Sequence, residues 1–262
     1  MDGWARWDMP TNDYYDTEQF PEGYTGYDGS EIWNYIHQKI CFDGFGYDDD
    51  HWKADFNKAV SGLHTVVTAQ VVRGIQDRVS SGEGFSDDEV WRDPAAEYDR
   101  RLSEGGETPQ AVENLYFAYM LFLSAAAKAK DRLIDECRAG KIDSESEKAL
   151  ATFMDLPAMN DPSVGIVAQK LQNHAAQDPN NLWEARMRSR ELLRIMNCVQ
   201  CNKCRLHGKI AMMGLSTALQ IHMGRNGNGE DPMRINRVEL AAMMSTLHKF
   251  SRAVDFCQQV RS

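Results

Sequence analysis

Leu115-Tyr116-Phe117-Ala118-Tyr119-Met120-Leu121-Phe122-Leu123, followed by the alanine-rich run Ala125-Ala126-Ala127, is the stretch that decides the fold. It is apolar on every face for nine residues. Flanking positions extend it as a helix from Ala111 to about Cys137, with Lys128, Lys130 and Arg132 facing the negative end of the helix dipole and Gly140 as a stop. A helix that is hydrophobic all round belongs inside a protein, surrounded by other elements. The run is broken by polar residues and too short to cross a bilayer.

Working outward, Phe56, Val60, Leu63, Val67, Val71 and Ile75 recur at three- and four-residue spacing between Trp52 and about Val79, giving one helix with an apolar stripe. Ser61, His64, Thr68 and Arg73 lie in or beside that stripe. Shorter helices are expected at Ala95–Leu102, Ser144–Phe153 and Val164–Ala176, and another from about Asn181 to Met196. Arg205–Met223 and Val238–Val260 are helical in pattern, and Asn236 with Glu239 has capping-box spacing. Residues 1–30 read as irregular, followed by a short helix from Glu31 to about Lys39 capped by Ser30. No stretch alternates at period two for long. The expected fold is all-α: a single domain over residues 1–262, with a core bundle of the helices starting near Asp55, Ala111, Cys204 and Val238.

The charge balance excludes one class of partner. With 29 Lys and Arg against 39 Asp and Glu the formal net charge is −10, and no basic stripe is available to neutralise phosphates, so nucleic acid is not an expected partner. The basic run Arg186-Met187-Arg188-Ser189-Arg190 reads as a solvated helix face. Residues 2–20 show no signal-peptide pattern, which suits either a cytosolic chain or one lacking its leader.

Chemistry concentrates at Cys198-Val199-Gln200-Cys201-Asn202-Lys203-Cys204-Arg205-Leu206-His207, which holds three of the six cysteines. One reading is a zinc-binding interaction module using Cys198, Cys201, Cys204 and His207. On a helix turning about 100° per residue, His207 would lie opposite Cys198, so one helix cannot close all four donors around an ion. The other reading is a reversible Cys201–Cys204 disulfide where a helix begins. There the dipole, Lys203 and Arg205 favour a thiolate, and a flavin held among helices is the natural electron acceptor.

The segment Arg194-Ile195-Met196-Asn197-Cys198 through Lys209, continuing Gly214-Leu215-Ser216-Thr217-Ala218-Leu219-Gln220-Ile221, closely resembles the active-site segment of the endoplasmic reticulum oxidoreductin family. Tyr24-Thr25-Gly26-Tyr27 with Ile32-Trp33-Asn34 and Cys41-Phe42, then Val60-Ser61-Gly62-Leu63-His64, then Asn114-Leu115-Tyr116-Phe117 resemble further family segments in the same order. The family's members are FAD-dependent thiol oxidases of the endoplasmic reticulum lumen. They take electrons from protein disulfide isomerase and pass them to O2, producing hydrogen peroxide in oxidative protein folding.

The resemblance implies that Cys201 and Cys204 form the catalytic disulfide beside the flavin. It implies FAD contacts from Thr25, Tyr27, Trp33, Ser61, His64 and Arg101, with Arg100 as the alternative arginine, and no resident metal. Any membrane association is expected to be peripheral. The chain also departs from the family pattern. Gly23 and Ala111 (with Gln110 before it) stand where the family carries arginines, and no cysteine precedes Cys41, so the N-terminal shuttle pair is not in this sequence. Cys198, which pairs with an N-terminal cysteine for regulation in relatives, is expected to be free. Cys41 and Cys137 are expected to form a structural disulfide, and Cys257 to be a buried free thiol.

Overall fold

A computed structural model describes residues 52–80, 93–104, 108–139, 144–178, 180–196, 202–223 and 235–261. Among them every regular element is helical: α1 (Trp52–Ser80), α2 (Pro94–Glu104), α3 (Thr108–Lys128), α4 (Lys130–Ala139), α5 (Ser144–Met154), a 3-10 turn (Pro157–Asn160), α6 (Pro162–Gln177), α7 (Asn180–Met196), α8 (Asn202–Met223) and α9 (Arg237–Arg261). The all-α expectation holds.

The helix starts have local causes. Asp93 Oδ1 accepts hydrogen bonds from the Ala95 and Ala96 amides, both 3.0 Å, at the start of α2. Asp161 caps α6 through the Ser163 amide at 2.8 Å, with Pro162 in the first turn where no amide is needed. At α9 the capping box closes in both directions. Asn236 Oδ1 accepts from the Glu239 amide at 3.0 Å, and Glu239 Oε2 accepts from the Asn236 amide at 2.8 Å.

The centre is α3, packed against α1, α2, α4, α6, α8 and α9. Leu115, Ala118 and Leu121 to Ala126 are buried, whereas Tyr116, Phe117, Tyr119 and Met120 are half-buried, so the helix is enclosed on every side only from Leu121 onward. The expected single helix to Cys137 divides at Ala129 into α3 and α4. The hydrogen-bond ladder nevertheless continues, from Ala129 N to Ala125 O at 3.0 Å and from Leu133 N to Ala129 O at 2.9 Å. Around α3 stand α1, α8 and α9, the other three members of the expected bundle, with Phe122 and Phe250 in ring contact at 5.1 Å between centroids.

Two glycines set the closest helix approaches. A Cβ on Gly62 of α1 would stand 2.5 Å from the Asn114 carbonyl oxygen and 2.7 Å from Ala118 Cβ of α3. A Cβ on Gly214 of α8 would run into Thr246 Oγ1 and stand 2.7 Å from the Ala242 carbonyl oxygen of α9. No other residue allows such contacts without moving backbone.

The basic run on α7 is only partly the solvated face that its composition suggests. Met187 and Arg190 are exposed, but Ser189 is 1% exposed, and Arg186 and Arg188 are half-buried. The reason is that α7 packs on α1, α6 and α8. Arg188 lies 5.8 Å from the Trp52 ring centroid and 3.6 Å from Glu184, which also pairs with Lys53 at 2.8 Å.

Candidate functional site

Ser61 and His64 sit one turn apart on α1, and both turn toward the interior: Ser61 is half-buried and His64 is 9% exposed. Gly62 between them lets the first turns of α3 come close. There Asn114 Nδ2 donates to Ser61 Oγ at 2.9 Å, and Gln110 Nε2 donates to Asn114 Oδ1 at 3.2 Å. Thr65 Oγ1 lies within reach of two carbonyls, Ser61 on its own helix (3.1 Å) and Ala111 on α3 (3.2 Å). A polar seam therefore runs along the α1–α3 contact, from the exposed Gln110 to the buried Asn114 and Thr65. It is neutral where the family pattern has an arginine, because Gln110 and Ala111 occupy that place.

Ser61 Oγ accepts from Asn114, so that bond does not use the serine's own hydroxyl proton. His64 adds a buried imidazole beside it. On α2, Arg100 Nε and Nη2 are engaged with Glu97 at 2.8 and 2.9 Å, and Glu97 is only 2% exposed, so that guanidinium fork is turned to a buried carboxylate. The Arg101 side chain, like Thr25, Tyr27, Trp33 and Cys41, lies outside the described residues.

The dithiol belongs to another helix. Cys204 is the third residue of α8, while Cys198 and Cys201 precede the helix and fall outside the described residues. The first turn of this 22-residue helix carries no acidic residue, so its positive end is not offset by a carboxylate of its own. Leu206 and His207 in the second turn are exposed, and Lys209 is 7% exposed. The seam on α1 and α3 and the helix that begins at the dithiol meet a common element, since α8 packs directly on α3.

Two further cysteines are described. Cys257 is buried and free, as its position in the last helix suggested, and burial pushes its thiol pKa up beside the Tyr98 ring. Cys137 is half-buried and bears a free thiol; the other end of the expected bond, Cys41, is outside the described residues.

Sequence reasoning passed over three groups. Asn114 was quoted only as part of a matching segment, yet it holds Ser61. Asp55, fully buried in the first turn of α1, lies 3.2 Å from Lys170 Nζ and 3.5 Å from His174 Nδ1 of α6, and burial raises its pKa against the pull of those partners. His222 is 1% exposed on α8, with Nε2 3.0 Å from the Leu121 carbonyl, and burial takes its pKa down to about 4. The Gly62 that separates Ser61 from His64 was the one local signal that a helix crosses there.

The profile of the family described as Endoplasmic Reticulum Oxidoreductin 1 (ERO1) matches residues 4–257. The chain is 30% identical to endoplasmic reticulum oxidoreductin-2 of Arabidopsis thaliana, covering 97% of this chain and 54% of the relative. It is 27% identical to human ERO1-like protein alpha, covering 97% of this chain and 62% of that protein. The chain thus spans between half and two thirds of the length of these relatives. Among solved structures, a mutant of Ero1p from S. cerevisiae superposes with a TM-score of 0.62 at 22% identity, covering 90% of this chain and 63% of the other. Another structure of Ero1p, titled a source of disulfide bonds for oxidative protein folding in the cell, gives 0.61 at 23% identity, covering 90% and 60%. At that identity the superpositions speak for the fold, and the match over residues 4–257 speaks for descent: this chain belongs to the endoplasmic reticulum oxidoreductin 1 family.

Proposed function

We propose that the protein is an FAD-dependent thiol oxidase of the endoplasmic reticulum lumen, built as one helical domain and serving oxidative protein folding. The observation that carries the proposal is the position of Cys204 in the first turn of α8, a long helix with no acidic residue at its start and with Cys201 immediately before it. A thiolate in that setting is stabilised by the unpaired amides and the dipole, which is what thiol–disulfide exchange requires of its attacking and leaving sulfurs.

In the proposed reaction a dithiol of protein disulfide isomerase attacks the Cys201–Cys204 disulfide. Two S–H bonds on the donor are replaced by one S–S bond, and Cys201 and Cys204 take up the electron pair and two protons. What FAD supplies when bound is a two-electron acceptor for this dithiol and a route from there to O2, which leaves as hydrogen peroxide. The chain's own part is to hold the cofactor and to exclude water. Ser61 offers its proton and His64 its imidazole to the nucleotide, Arg101 meets the diphosphate, and Thr25, Tyr27 and Trp33 contribute the remaining contacts. Cys198 has no assigned partner in this chain.

Purified protein should absorb in the visible blue from bound flavin; a colourless protein carrying stoichiometric zinc at Cys198, Cys201, Cys204 and His207 would overturn the reading. Cys201→Ala and Cys204→Ala should each abolish oxygen consumption driven by a small dithiol while the flavin stays bound. Unchanged turnover in both would remove the dithiol from the mechanism.

A further inference from the structure

We propose that Asn114 is a positioning residue of the cofactor site: by donating to Ser61 it fixes which way the serine proton points, so that Ser61 reaches the nucleotide as a donor. This rests on the reading of the chain as an FAD protein. A serine hydroxyl has one proton and two lone pairs, and in an unconstrained site it rotates among acceptors. Here the neighbouring side chain from α3 presents an N–H rather than an oxygen, so the serine proton is turned away from it.

The orientation of the Asn114 amide is itself fixed. Gln110 Nε2 donates to Asn114 Oδ1 at 3.2 Å, so the oxygen is turned toward Gln110 and the nitrogen toward Ser61, where it donates at 2.9 Å. Asn114 is 8% exposed, and Gly62 is what allows the α3 backbone carrying it to approach α1 so closely. The Gln110–Asn114–Ser61 chain is thus a directed relay: each member donates to the next, and the last donor, the Ser61 hydroxyl, is left over for a ligand. It lies where the family pattern carries a cation. On that account this chain holds its cofactor there by oriented neutral hydrogen bonds.

The test is a double-mutant cycle on FAD affinity, read by titrating the full-length apoprotein with FAD and following flavin fluorescence. Thermal unfolding of each apoprotein is measured alongside. Asn114→Ala and Ser61→Ala should each weaken binding by about tenfold, the scale of one hydrogen bond to an anionic or carbonyl oxygen. The double variant should be no weaker than either single one, because Asn114 acts through Ser61. Gln110→Ala, on the exposed end of the relay, should give a smaller loss, roughly twofold to threefold, without lowering the apoprotein's melting temperature. Multiplicative losses in the double variant, or unchanged affinity in Asn114→Ala and Gln110→Ala, would overturn the relay while leaving the flavoprotein reading intact. A wild-type chain that binds no FAD would overturn both.

Discussion

The α1–α3 and α8–α9 contacts are built on the same plan and differ in the polar groups they carry. Each has a glycine on one helix that admits the partner's backbone: Gly62 toward Asn114 and Ala118, Gly214 toward Ala242 and Thr246. Each has a threonine within reach of two carbonyls, one on its own helix and one across the seam. Thr65 reaches Ser61 and Ala111, and Thr246 reaches Ala242 at 2.8 Å and Ile210 at 3.5 Å. In the α8–α9 seam the polar group at the glycine is Thr246. The α1–α3 seam adds Ser61, Asn114 and Gln110, which carry a hydrogen-bond chain that ends at the serine hydroxyl. Close helix packing is a structural device in both places, and the proposed cofactor contact draws on the α1–α3 seam alone.

The largest effect that should separate the two pairs comes in acid, through His222 on α8. The Leu121 carbonyl can only accept, so Nε2 carries the proton and the buried ring is neutral. Its folded pKa, about 4, lies below the ordinary 6.5. The folded state therefore resists protonation: the contribution is complete above pH 6.5 and is lost as the pH falls toward 4. That loss is roughly 3 kcal/mol. Urea unfolding at pH 7, 6 and 5 should show the decline, and His222→Leu should flatten it; an equal slope in both would assign the acid sensitivity elsewhere.

Next in size are Gly62→Ala and Gly214→Ala. Each new methyl meets backbone oxygen, so each should cost about 1–3 kcal/mol. The pair becomes informative when flavin is measured per folded molecule. Gly62→Ala should lower it, because the Asn114 amide is pushed away from Ser61, whereas Gly214→Ala should not. Equal flavin in the two variants would erase the functional difference between the seams. The smallest effect is expected from Asn236→Ala, which opens the capping box of α9 and should cost about 1 kcal/mol in denaturant midpoint at constant slope, with no change in flavin.

Much of this bundle is legible in the amino-acid sequence because its signals are local. The apolar run at Leu115 can only be a central helix, and Asn236 with Glu239 announces its capping box three residues apart. The division at Ala129 is invisible for the same reason: alanine is the best helix former, and both sides are helical in pattern. What fails is whatever depends on distant neighbours. Asp55 finds Lys170 115 positions away, and nothing around Asp55 says that its carboxylate will be buried. Arg186 and Arg188 look solvated until α7 is seen against Trp52. Ser61 and His64 are singled out only by the resemblance of Val60-Ser61-Gly62-Leu63-His64 to a family segment, and the hydrogen bond that Ser61 accepts comes from Asn114, 53 residues on.

The two hydrogen bonds that bridge the division at Ala129 make α4 a handle on the core. Arg132 and Asp135 stand in solvent on a helix tied in this way to α3, the element that meets both the Ser61 seam of α1 and the helix that carries Cys204. A spectroscopic label attached at either position would turn with α3 instead of swinging on a loop. Any reorientation of the central helix during turnover would then be readable from outside, without touching a residue that does chemistry.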